Sequence, residues 1–182
     1  MLFCASSCKM TTDNFIEQLS EVPSLRGFFA LSVNQFAQNI ERLIQRVFRK
    51  TDFALKSVVD SLFEHQGPLA ELTVRLKLLL GLGVISAAVF EDISLFIEVK
   101  QQLSDEVEEL PFSHPAIVQF AKDLHHIDLS PVADLLKFAS SVENKDSMLY
   151  QMQQIRLERV MRSSLILAIT EINEKLNVES PL

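Results

Sequence analysis

The apolar residues of this chain recur at helical spacing over long stretches, and the residues that break helices fall between those stretches. Phe29, Phe36, Ile40, Leu43, Ile44 and Val47 are separated by steps of one, three, four and seven, so one face of a long helix from Ser24 to about Lys50 turns inward. Leu69, Leu72, Leu76, Leu79 and Leu80 give a later helix a nearly continuous apolar side, and Val89, Ile93, Phe96, Val99 and Leu103 do the same for the next. Met152, Ile155, Val160, Leu165, Ile169, Ile172 and Leu176 mark the inward side of a last helix that runs from about Ser147 to Leu176.

The punctuation agrees with this reading. The chain has four glycines and six prolines. Glu21-Val22-Pro23 ends a short first helix from Asp13 to about Ser20, and Ser24 can cap the second. Thr51 or Asp52 can cap a third helix reaching Glu64, with Val58, Val59, Leu62 and Phe63 on its apolar side. Gly67 stops that helix and Pro68 opens the fourth. Gly81-Leu82-Gly83 is a turn, and Ser86 caps the fifth helix, to about Leu103. Ser104 to Glu109 is an acidic, solvated loop. Ser113-His114-Pro115 starts a sixth helix through about His126, and Ser130-Pro131 a seventh through about Val142, before the polar Asn144-Lys145-Asp146. Only Leu82 to Ile85 could be read as a strand. The expected fold is all-α, a single-domain bundle of seven or eight helices with long second and last helices. Residues 1–12 are expected to be a flexible extension, 13–178 the domain and 179–182 a tail.

Composition narrows the function. The formal net charge is -7 and the pI about 5.1, which argues against a broad phosphate-binding face, because such faces work through Lys and Arg. Apolar residues make up 48% and the mean hydropathy is +0.19, enough for a full core plus an apolar contact surface such as a homodimer would use. Cys4 and Cys8 lie in the first ten residues and form no disulfide framework, so a reduced, cytoplasmic setting is expected. Met1 to Lys9 lacks the basic and apolar regions of a signal peptide. Leu78 to Phe90, the longest apolar run without charge, is shorter than the roughly 20 residues of a membrane span.

Chemistry-bearing patterns are sparse. Asp123 and His126 stand three apart and would share a helical face, but a bundle metal site needs a second such pair. Neither H-E-x-x-H nor G-x-S-x-G occurs, Ser163-Ser164 has no base nearby in sequence, and the Arg-then-His spacing of some small helical ribonucleases is missing. Gly81-Leu82-Gly83 lacks the strand and the Lys-Ser/Thr of a phosphate loop. No enzyme, cofactor or metal is expected. The thirteen phenylalanines, with no Trp and one Tyr, read as core. Phe28, Phe29, Phe36, Phe48, Phe53 and Phe63 are expected to form one cluster between the second and third helices.

One stretch is familiar. Val47-Phe48-Arg49-Lys50 with Asp52, Gly67-Pro68-Leu69, Val74-Arg75-Leu76-Lys77-Leu78, Gly81-Leu82-Gly83-Val84-Ile85 and Glu91-Asp92 fall in one order and spacing between Val47 and Leu103. A second block runs from Leu149-Tyr150 to Arg162-Ser163 and Leu167-Ala168-Ile169-Thr170-Glu171. Together, over about half the chain, they closely resemble the mannitol operon repressor family. The resemblance implies a negative regulator of mannitol uptake and utilisation genes.

The residues themselves show no helix-turn-helix. Arg42, Arg46, Arg49 and Lys50 form a basic stripe at a helix C-terminus, where the macrodipole favours cations in any case. Arg156, Arg159 and Arg162 form a second stripe interrupted by Glu158. Arg75 either binds a partner's carboxylate or phosphate or pairs within the bundle with Asp60, Glu71 or Glu91. The expectation is repression through a regulatory protein partner, with Arg42, Arg46, Arg49, Lys50 and Arg75 as the contact residues and a homodimer possible. Direct DNA binding as a dimer and a helical sensor of a sugar alcohol are the alternatives.

Overall fold

The structure, a computed structural model, describes residues 14–48, 70–141 and 146–177. The helix expected from Thr51 to Glu64, the Gly67-Pro68 boundary, Leu69, Phe53, Cys4 and Cys8 lie outside the described residues. Among the described residues the chain is all-α, with seven helices and no strand. They are α1 (14–21), α2 (Leu25–Phe48), α3 (Leu72–Gly81), α4 (Ala87–Asp105), α5 (Pro115–Asp123), α6 (Ser130–Ser141) and α7 (Met148–Asn177). No helix is long and apolar enough to cross a membrane.

Local chemistry sets most helix starts. The Ser24 hydroxyl accepts from the Gly27 N–H at 3.0 Å and opens α2. Ser86 accepts from the Val89 N–H at 3.3 Å and opens α4, and Ser147 accepts from the Tyr150 N–H at 3.2 Å and opens α7. Each such cap satisfies a donor that the helix leaves unpaired, typically worth about 1 kcal/mol. Asp128 accepts from the Ser130 N–H at 2.9 Å ahead of α6, and hydrogen bonds from Ser130 hold its carboxyl below the ordinary range. Before α5 the cap is His114, whose Nδ1 accepts from the Ala116 N–H, with Pro115 in the first turn. Between α3 and α4 the chain reverses at Gly83, with φ +69°, where a side chain would be strained.

Helix α2 is the hub: it packs on α3, α4 and α7. Phe28, Phe29 and Phe36 of α2 are fully buried. They meet Phe96 of α4, Phe112 of the α4–α5 connection and Phe120 of α5, with ring centroids 5.2 to 5.5 Å apart. Phe96 also meets Phe120 at 5.0 Å. Most of these rings meet edge to face, the arrangement the ring quadrupole favours. Of the expected aromatic cluster, Phe53, Phe63 and the side chain of Phe48 lie outside the described residues, and the described partners of the Phe28, Phe29 and Phe36 rings come from α4, α5 and the connection between them.

Three further expectations are corrected. Helix α5 ends at Asp123, so His125 and His126 lie in the bend after it and not on its last turn. Asp123 accepts instead from Gln119 Nε2 at 2.9 Å on its own helix. Met152 and Ile155 of α7, read as inward, are exposed, while Leu157, Met161, Leu165, Ile169, Ile172 and Leu176 are buried. Ser104 and Asp105, expected in the acidic loop, form the last turn of α4.

Candidate partner interface

The last helix carries one stripe along its whole length. Met148, Met152, Ile155, Arg159, Arg162, Ile166, Ile169, Asn173 and Leu176 follow each other in alternating steps of four and three, the spacing of a coiled-coil seam. The C-terminal half is covered. Ile166, Ile169 and Leu176 are buried, and Asn173 accepts from Asn39 Nδ2 of α2 at 2.7 Å. Arg162 donates to the Ser20 and Val22 carbonyls at 2.9 and 2.8 Å, closing the end of α1, and its guanidinium lies 4.5 Å from the centroid of Phe112. Burial there pushes the guanidinium pKa down from its ordinary value.

The N-terminal half of the stripe is bare. Helices α2 and α7 run parallel: Val22, just before α2, sits at Arg162, and Arg46, near its end, sits at Leu176. Helix α2 starts too late to reach the first two turns of α7. Among the described helices, α6 packs there, on the other side, where Leu157 and Met161 are buried. Met148, Met152 and Ile155 are therefore 79%, 62% and 54% exposed, with Leu149 beside them at 56%. Arg156 and Arg159, both exposed, follow directly, and neither guanidinium bonds to a described residue.

Of the arginines singled out by sequence, Arg75 and Arg46 are fastened to their own chain. Arg75 of α3 is mostly buried and bonds Glu41 of α2 through Nη1 at 2.6 Å, an acid outside the expected three, of which Asp60 lies outside the described residues. Arg46 donates from both terminal nitrogens to the Leu176 and Asn177 carbonyls at 2.9 and 3.2 Å, so it caps the C-terminus of α7. Arg42 is exposed and donates to Asn39 Oδ1 at 3.3 Å. Arg49 and Lys50 lie outside the described residues.

A second constellation was not legible in the sequence. Asp92 of α4 is fully buried, and each of its oxygens takes two bonds. Oδ1 accepts from the backbone N–H of His125 at 2.8 Å and meets its Nδ1 at 2.9 Å; Oδ2 accepts from the N–H of His126 at 3.0 Å and meets its Nδ1 at 2.7 Å. An ionised carboxylate only accepts, so both imidazoles turn an Nδ1–H toward it. The hydrogen bond to Asp92, with the charges of Asp92 and Glu91, holds the His125 pKa above its ordinary value against partial desolvation. Glu91 lies 3.3 Å from His125 Nε2. The group pins the segment between α5 and α6 to α4, and so fixes the root of the α6–α7 hairpin. No cluster among the described residues could hold a metal ion.

Comparison with known proteins agrees with this architecture. The mannitol operon repressor of Escherichia coli strain K12 is 32% identical over 164 residues, covering 90% of this chain and 81% of that protein. A protein of Shigella flexneri named fumarase E is 23% identical over 162 residues, covering 88% of this chain and 94% of its own. Among solved structures, the X-ray structure of the MtlR–HPr complex from Escherichia coli contains a chain that superposes with a TM-score of 0.81 at 32% identity, over 92% of this chain and 98% of that one. The family model described as mannitol repressor matches residues 11–177. The chain belongs to the mannitol repressor family.

Proposed function

We propose that this protein is a cytoplasmic negative regulator of mannitol uptake and utilisation genes that acts by binding a protein partner, and that the partner is an HPr protein. The observation that carries the reading is the similarity, at 32% identity and a TM-score of 0.81, to a repressor chain solved in complex with HPr. The electrostatics point the same way. Groove reading needs cations free to meet phosphates, whereas Arg46, Arg75 and Arg162 spend their donors on carbonyls and a carboxylate of their own chain. The partner surface lies at the C-terminal end of α2, where Arg42 and Arg46 are exposed, and extends to Arg49, Lys50 and the Arg75 side of α3.

Calorimetric titration of HPr into the full chain, with a gel shift on mannitol-operon promoter DNA at near-physiological salt, tests this. Saturable heat from HPr and no sequence-dependent shift by the protein alone are expected. A sequence-specific shift without HPr would establish direct DNA reading, and the absence of HPr binding would remove the partner.

The same reading makes the protein a regulator without catalysis. Given the relative named fumarase E, the direct check is a spectrophotometric assay with fumarate and with malate. No turnover above that of a heat-denatured sample is expected.

A further inference from the structure

We draw no further inference here: the strongest candidate, the exposed apolar row of Met148, Met152 and Ile155 at the start of α7, carries nothing because nothing in the structure shows what covers it.

Discussion

Asn39 of α2 donates through Nδ2 to Asn173 Oδ1 of α7 at 2.7 Å, and both residues are buried. Asn39 Oδ1 in turn accepts from Gln35 and Arg42, so the bond is the inner link of a short chain that ends at the surface. It fixes the register in which α7 lies on α2. Asn173→Ala leaves a buried amide donor unpaired and should cost about 1–3 kcal/mol. Replacing Asn39 and Asn173 together by Leu should cost less than the single change, because no polar atom is then stranded. Urea unfolding of Asn39→Leu, Asn173→Leu and the double variant decides between a satisfied pair and an incidental contact: a double variant that loses the sum of the two single changes would show the latter.

The Asp92 group makes stability depend on pH in a defined direction. The folded-state pKa of His125 is raised above the ordinary value of 6.5. Its contribution is therefore present in full below about 6.5 and is lost as pH rises through the raised value. The unfolding free energy should fall across that window. His125→Asn keeps a donor near the position of Nδ1 but does not titrate, so it should flatten the slope. Urea midpoints at closely spaced pH values measure this, and an unchanged slope in the variant would assign the dependence to another group.

Two glycines in one turn should respond with opposite signs. Gly83 has φ +69°, so Gly83→Ala forces a side chain into the left-handed region and should cost about 1 kcal/mol. Gly81 ends α3 with open space around the position of a Cβ and no positive φ. Gly81→Ala should stabilise by about 0.4–1 kcal/mol, by reducing the freedom of the unfolded chain. Thermal unfolding of the two variants side by side provides the comparison.

What the sequence revealed and what it hid divides by distance along the chain. Ser24, Ser86 and the Gly81-Gly83 turn were legible because a cap or a turn is decided within three or four residues. The end of α5 was not, because His125 and His126 are drawn off the helix by a carboxylate thirty-odd positions earlier. The phenylalanine spacing showed that the α2 rings face inward, but not that Phe96, Phe112 and Phe120 would meet them. Met152 and Ile155 carry the same heptad spacing as Ile166 and Ile169. What separates exposed from buried is where α2 begins, which no periodicity within α7 records. The basic stripe was visible as charge. That Arg46 closes the end of α7 and Arg75 holds Glu41 depends on helices adjacent only in the fold.

Those ties decide how the proposed partner surface should be probed. Arg75 is mostly buried against Glu41, so Arg75→Met should lower stability by about 1–2 kcal/mol, and any loss of HPr binding would be confounded with that loss. Arg46→Glu brings a carboxylate to the carbonyl end of α7, where the helix dipole already places negative charge, and is confounded in the same way. Arg42 is exposed and its described bond is a long one to a side-chain amide, so Arg42→Glu should leave the melting temperature nearly unchanged. If the C-terminal end of α2 meets the partner, Arg42→Glu should weaken HPr binding several-fold, mainly through slower association and more steeply at low salt. Stopped-flow association rates at two ionic strengths measure it. A rate equal to that of the wild type at both would move the partner surface away from α2.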